Sequence, residues 1–336
     1  MRVFLTGGTG LVGRHAIRQL RARGDEVLAL ARSESAARAL ESAGASPLRG
    51  EIGDAVALER GVAACDATVH AAAMVTDRAG WAAYHSANVA PTAAVAAAAA
   101  RHGKRLVHIS SVAAYGRSQT YDGGPGSVSE EFGLDRPVFA GDHYARSKRE
   151  AELALWRVVE DTGLGAVALR PCVIYGEWDR QFSPRVALAL RMTLGFAPVV
   201  GSGANTMSVV YAGNVAAGVL AALDRPGVTG PFNVANDGGI TMREFYERFA
   251  AGLGVRLRLV HVPAGLAWGG ARLVDGAFRL LNPRGPMTLL KGAVQFLAND
   301  NPYTSARAER ELGWRPVVAP ADAVERTARS FRRGGS

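Results

Sequence analysis

Residues 3–15 read VFLTGGTGLVGRH: a short apolar run, a glycine-rich turn and the start of a basic amphipathic segment. Leu11 to Arg23 has helical periodicity, and Gly24 stands where a glycine closes a helix. Glu26 to Ala31, EVLALA, then reads as a buried strand. Strand, turn, helix and strand in that order make one βαβ unit, the connection a parallel strand pair requires. Two glycine patterns overlap in the turn, Gly8-x-Gly10-x-x-Gly13 and Gly7-x-x-Gly10-x-x-Gly13. Both leave backbone N–H groups and a helix N-terminus facing a pyrophosphate, because no side chain blocks the approach.

The alternation continues outward from this unit. Helical segments are predicted at Ser35–Ala43, Ala55–Ala63, Asn88–His102 and Tyr144–Thr162, and strands near Pro47–Arg49, at Ala67–His70, Arg105–Ser110 and Ala166–Arg170. Near-continuous apolar strands alternating with helices predict an α/β fold with a doubly wound parallel sheet. After Pro171 the rhythm loosens into Gly- and Pro-rich loops, a short strand at Ser208–Tyr211 and a helix at Met242–Leu253. Gly265–Leu281 is apolar but interrupted by Arg272, Asp275 and Arg279, which predicts a packed amphipathic helix.

Composition sets the outer limits. The 336 residues are 48% hydrophobic and 21% charged, an ordinary globular balance that argues against disorder. Cys65 and Cys172 are far apart and suit neither a disulfide framework nor a metal site. There is no signal-peptide pattern and no apolar run long enough to span a bilayer, so a cytoplasmic protein without membrane insertion is expected. The net charge of +9 is spread over scattered arginines not interleaved with aromatics, so no nucleic-acid partner is expected. Only Arg329 to Arg333 clusters locally, as a solvated terminus would. The alanines 93–100 are read as close-packing helix formers, with a dimer interface as the alternative.

Two further segments turn a binding fold into a candidate enzyme: HISSVAAYG, residues 108–116, and YARSK, residues 144–148. Tyr144 and Lys148, four residues apart, share one helix face. A lysine cation beside a phenol stabilises the tyrosinate and lowers its pKa. Such a tyrosine exchanges a proton with an alcohol or ketone near neutral pH. The Ser111 hydroxyl is placed to hydrogen-bond the same substrate oxygen as charge develops on it.

With these motifs in hand, the chain resembles the extended short-chain dehydrogenase/reductases, the NAD-dependent epimerase/dehydratase superfamily, over nearly its whole length. Gly7, Gly10 and Gly13 match that family's TGxxGxxG turn, which selects the second of the two glycine patterns. HAAA at His70–Ala73, LRP at Leu169–Pro171, IYG at Ile174–Gly176 and NPYTSARAERELGWRP from Asn301 match further family segments. The resemblance implies a Rossmann-type fold with a smaller, interleaved C-terminal α/β substrate-binding region. It places an NAD(P)-binding domain with the catalytic residues at 1–170 and a mainly substrate-binding region at 171–336. The implied catalytic residues are Ser111, Tyr144 and Lys148, with Asn88 organising a proton relay. Implied cofactor contacts are Gly7, Thr9, Gly10, Leu11, Val12, Gly13, Glu51, Ile52, Ala71, Ala72, Ala73, Tyr144, Lys148, Pro171 and Val173. A small-molecule substrate, no metal and a homodimer complete what the resemblance implies.

Departures from the family pattern narrow the chemistry. Sugar-nucleotide dehydratases of this type carry Asp-Glu directly after the catalytic hydroxyl residue, where this chain has Val112 and Ala113. Sugar-nucleotide enzymes commonly place an asparagine three residues after the strand-end arginine, where this chain has Val173. RPCVIYG looks more like 3β-hydroxysteroid and sterol dehydrogenases and dihydroflavonol reductases. Met74, Val75, Trp178 and Phe182 are candidates to line a pocket for a hydrophobic cyclic ketone or alcohol, or to sit in the core. The rival readings are a sugar-nucleotide epimerase and a non-catalytic dinucleotide sensor. At the end of the second strand Arg32 stands where an acidic residue would select NAD, which favours NADP.

Overall fold

The computed structural model describes residues 1–76, 79–116, 124, 126–138, 141–281, 294 and 296–332. Seven strands form one all-parallel sheet: β1 (Arg2–Thr6), β2 (Glu26–Ala31), β3 (Ser46–Arg49), β4 (Ala67–His70), β5 (Arg105–Ile109), β6 (Ala166–Arg170) and β10 (Gly230–Asn233). Their order is β10-β6-β5-β4-β1-β2-β3. The direction of winding reverses between β1 and β4, the position at which open α/β sheets take their ligands.

Successive side chains of a strand point to opposite faces. On β1, Val3 and Leu5 join a core with Ile17 and Leu20 of α1 (Leu11–Ala22) and Val215 and Val219 of α8 (Ala212–Leu223). Phe4 turns to the other face, against Leu58 of α3 (Ala55–Ala63), Val95 of α5 (Ala90–Arg101) and Leu155 of α6 (His143–Thr162). Both faces are therefore covered, as the unbroken apolar strands predict. Each large apolar side chain so buried contributes about 1.5–3 kcal/mol.

A smaller α/β region follows. Its core joins Tyr175 on β7 (Val173–Tyr175), Val199 on β8 (Phe196–Val200), Tyr211 on β9 (Val209–Tyr211) and Phe245 and Phe249 on α9 (Met242–Leu253). The final helix, Pro320–Ser330, adds Ala323, Val324 and Ala328. The chain crosses between the two regions: α8, β10 and the segment holding Tyr303, Leu312 and Trp314 pack into the first core.

Two segments differ from the sequence reading. The helix predicted from Asn88 begins instead as a π turn at His85–Val89, and α5 starts only at Ala90. Pro91 in the first turn of α5 has no N–H to give, and the Ala90 N–H reaches five residues back to the His85 carbonyl. The apolar helix α10 (Ala264–Leu281) forms as predicted, but over residues 264–274 its apolar side chains are largely left in solvent. Ala271 is buried, whereas Leu266 and Leu273 are about three-quarters exposed, at 70% and 77%. Phe182, a pocket candidate, packs instead on Phe245 and Phe296 in the second core. Arg333 of the terminal arginine cluster lies outside the described residues. No described helix is long and apolar enough to cross a membrane.

Candidate active site

The glycine turn connects β1 to α1 at the reversal point. Gly7 has φ +75°, and a Cβ on it would stand 2.6 Å from the Ala72 nitrogen, inside the loop after β4. A Cβ on Gly13 would meet the Gly7 carbonyl at 2.2 Å. Both positions exclude side chains, which keeps the turn closed and its outer surface bare. Helices α2 (Glu34–Ser42), α3 and α6 begin with Ser33, Asp54 and Asp142 accepting first-turn amides. In contrast, α1 begins on Gly10 with no side-chain cap and no acidic residue in its first turn. Thr9, Leu11 and Val12 complete this turn. An uncapped helix N-terminus behind a glycine cradle fits the diphosphate of a dinucleotide.

Thr6, at the end of β1, ties the two walls of the crevice together. Its Oγ1 lies 2.7 Å from His70 Nδ1 and accepts the Ala72 N–H at 3.3 Å. Thr92 gives its proton to the Asn88 carbonyl at 2.7 Å, so it accepts from His70 Nε2 at 3.1 Å, and His70 Nδ1 accepts from Thr6. Burial, reinforced by the Lys148 charge, pushes the His70 pKa down to about 3, so this imidazole is neutral. Ala71 and Ala72 are half-buried at the turn and Ala73 is exposed beyond them.

Ser111 follows the end of β5 and caps a short 3-10 turn, accepting the Ala113 N–H at 3.1 Å. Its own hydroxyl meets the Pro171 carbonyl only at 3.4 Å, longer than an ordinary O–H···O bond. Ser111 and Pro171 are therefore neighbours at the ends of β5 and β6.

Helix α6 brings Tyr144 and Lys148 to the same edge. Lys148 is buried and its Nζ donates to the Ile109 carbonyl at 2.8 Å, two residues before Ser111. Burial pushes the Lys148 pKa down to about 8, while the Glu152 charge pulls it up. The half-buried Tyr144 sits one turn earlier, with its ring edge-on to Tyr84 at 6.4 Å between centroids.

Asn88 stands in the π turn with its carboxamide fully engaged. Oδ1 accepts from Met74 N at 2.7 Å, and Nδ2 donates to the Met74 carbonyl at 3.1 Å and to Ser147 Oγ at 2.9 Å. Ser147 in turn donates to the Tyr144 carbonyl at 2.8 Å. The asparagine thus fixes the loop after β4 against the turn of α6 that separates Tyr144 from Lys148. The π turn supplies the extra residue that aims it there.

The remaining predicted positions lie on the other half of the sheet or outside it. Arg32 is exposed just after β2, and no described carboxylate forms an ion pair with it. Glu51 is exposed after β3, and Ile52 packs half-buried on the core beneath β1 and β2. Val173 is 37% exposed on β7, in a separate two-stranded sheet with β9.

Sequence reasoning missed the polar floor below this edge. Glu152 and Arg170 form a buried ion pair, with Arg170 Nε 3.0 Å from Glu152 Oε1. Ser110 donates to Glu152 Oε2 at 2.5 Å, and Arg170 Nη1 donates to Tyr115 Oη at 2.7 Å. Burial pulls the Arg170 pKa down, but the Glu152 carboxylate outweighs it and holds it above the ordinary arginine value. The available signal was the spacing of Glu152, one helical turn after Lys148 on the same face. Among the described residues no cluster of three His, Cys, Asp or Glu side chains could hold a metal ion.

A model of the NAD dependent epimerase/dehydratase family matches residues 3–235 of the chain. The chain belongs to that family. It is 35% identical over 318 residues to 4-hydroxy-2-methyl-3-oxo-4-farnesyl-3,4-dihydroquinoline-1-oxide ketoreductase of Stigmatella aurantiaca, covering 94% of this chain and 92% of that protein. It is 30% identical over 332 residues to 2-alkyl-3-oxoalkanoate reductase of Stenotrophomonas maltophilia (strain K279a), covering 97% and 98%. Among solved structures, DesIV, a dTDP-glucose 4,6-dehydratase of Streptomyces venezuelae solved with NAD, superposes with a TM-score of 0.71 at 26% identity, covering 99% of this chain and 98% of that one. This member of the epimerase/dehydratase family is an oxidoreductase of the extended short-chain dehydrogenase type.

Proposed function

We propose that the protein is an NADP-dependent ketone reductase, interconverting a secondary alcohol and a ketone on a small hydrophobic, ring-bearing or isoprenoid-like molecule. The observation behind this reading is the buried Lys148 ammonium, bonded to the Ile109 carbonyl at the strand end that leads into Ser111, one turn along α6 from Tyr144. A nicotinamide dinucleotide supplies or accepts the hydride when bound. Tyr144 exchanges the proton with the substrate oxygen, Lys148 supports the tyrosinate, and the weakly engaged Ser111 hydroxyl orients that oxygen. Asn88 acts as a positioning residue, because its carboxamide is already occupied by Met74 and Ser147.

Two named relatives are reductases of ketones, one of them on a farnesyl-bearing ring. Met74, Val75 and Trp178 offer apolar surface near the crevice. The NADP preference rests on Arg32, which follows β2, forms no ion pair with a described carboxylate and suits a 2′-phosphate. Changing Tyr144 to Phe tests the assignment. Ketone reduction should fall by at least ~100-fold while dinucleotide affinity changes little, since a general acid supplies about 10²–10⁴ of rate. Retained turnover overturns the role given to Tyr144.

A further inference from the structure

Tyr84 is 2% exposed and closes the helical turn Trp81–Tyr84, just before the π turn that carries Asn88. Its side chain touches two parts of the crevice at once. The ring stands edge-on to the Tyr144 ring, 6.4 Å between centroids, and lies tilted against the His143 ring at the same separation. The hydroxyl accepts the Thr76 N–H at 3.1 Å and donates to the Thr76 carbonyl.

Asn88, four residues further along, holds Met74 in the same way, through its N–H at 2.7 Å and its carbonyl at 3.1 Å. From elsewhere in the chain, after β7, Gln181 Nε2 donates to the Val75 carbonyl at 3.0 Å. Successive residues of a strand offer their N–H and C=O groups to opposite edges. Met74 and Thr76 give theirs to the two side chains of the 84–88 turn, and Val75 gives its carbonyl to Gln181. No described strand pairs with residues 74–76, and these three side chains stand in for one.

Tyr84 therefore couples the apolar surface at Met74 and Val75 to Tyr144. A hydroxyl that both accepts from and donates to one residue fixes that residue's backbone in place. An edge-on ring restricts how the neighbouring phenol turns. Such constraints matter to a reaction, because a misplacement of ~1 Å at a reacting group costs about 10²-fold in rate.

We propose that Tyr84 is a positioning residue for ketone reduction: its hydroxyl sets the 74–76 wall against which the substrate lies, and its ring sets the direction of the Tyr144 phenol. The inference rests on the ketone reduction proposed above. It assigns substrate fit and proton transfer to different ends of one side chain.

Tyr84→Phe, Tyr84→Leu and Gln181→Ala test it against the wild type, by steady-state kinetics on a hydrophobic cyclic ketone, by dinucleotide calorimetry and by hydrogen exchange of residues 71–76. Tyr84→Phe keeps the ring and loses two neutral hydrogen bonds, so KM should rise about tenfold. Its kcat should stay within about twofold of the wild type. Tyr84→Leu loses the ring as well, and its kcat should fall about tenfold or more. Gln181 is exposed, so Gln181→Ala should fold even if Tyr84→Leu does not, and it should repeat the rise in KM without loss of kcat. Exchange in 71–76 should quicken in Tyr84→Phe and in Gln181→Ala, while dinucleotide affinity holds in all three variants. Unchanged KM and exchange in Tyr84→Phe overturn the inference, as does a kcat no lower in Tyr84→Leu than in Tyr84→Phe. A joint fall of kcat, ketone affinity and dinucleotide affinity would mark a merely structural residue and overturn it too. A wild type that reduces no ketone overturns the functional reading and the inference together; an active wild type with unaltered variants overturns the inference alone.

Discussion

Replacing Glu152 with glutamine keeps the side chain's shape and removes one negative charge from beneath the candidate active site. Glu152 is fully buried, and Arg170, which donates to it at 3.0 Å, is 3% exposed. Removing one partner of a buried pair leaves the other charge desolvated, at a cost of about 3–5 kcal/mol. The glutamine oxygen still accepts one Arg170 N–H, so the lower end, ~3 kcal/mol, applies here. At about 2.1 cal/mol/K of unfolding entropy per residue, the 336 residues give ~0.7 kcal/mol/K, and the melting midpoint falls by ~4 °C.

The same substitution reaches the chemistry. The Lys148 pKa is pushed down to about 8 by burial and pulled up by Glu152. Without that carboxylate it falls further, so the ammonium is lost at a lower pH. On the role proposed for Lys148, loss of its proton gives kcat/KM a high-pH limb, and that limb should move to lower pH in Glu152→Gln than in the wild type. The stability effect of Lys148 has the matching sign. Its folded pKa is depressed, so the protonated lysine destabilises the fold below pH 8, and this cost is relieved as pH rises towards the unfolded value of ~10.4. Thermal melts and pH–rate profiles check both effects. A variant that melts with the wild type and keeps its alkaline limb unmoved refutes the reasoning; Glu152→Leu with Arg170→Met, which deletes both charges, should recover most of the lost stability.

Further predictions concern the cofactor seat. Gly7→Ala places a methyl group 2.6 Å from the Ala72 nitrogen at φ +75°, and should cost about 2–4 kcal/mol of stability and weaken dinucleotide binding, read by melts and calorimetry. Arg32→Asp should reverse the preference between NADPH and NADH, read as the ratio of kcat/KM for the two. An unchanged ratio removes Arg32 from the 2′-phosphate role.

The order of β1 to β6 and the glycine turn were legible because each depends on local pattern: apolar runs of strand length, amphipathic helices and glycines at their junctions. The positions of Ser111 and Lys148 were legible for the same reason, since one follows a strand and the other lies a turn along a helix from Tyr144. The features that escaped depend on contacts across the chain. The π turn at His85–Val89 arises where Pro91 withholds an amide and Asn88 grips Met74, 14 residues away. Hydrophobic periodicity does not encode a shift of one residue in hydrogen-bond register. The Glu152–Arg170 pair joins a helix to a strand, and the positive φ of Trp178 reflects the fit of its ring against α1. The exposed Leu266 and Leu273 show the converse, a helical period that is satisfied without being buried.

The proposed reaction is direct hydride transfer to a ketone at the Ser111–Tyr144 edge. It is tested by incubating the protein with a hydrophobic cyclic ketone and NADPH carrying deuterium at the transferred position of the nicotinamide, then locating the label by mass spectrometry and NMR. One deuterium should appear on the new carbinol carbon, with stoichiometric loss of the reduced nicotinamide. Epimerised sugar nucleotide with no net cofactor change, and no label entering any ketone, would contradict it.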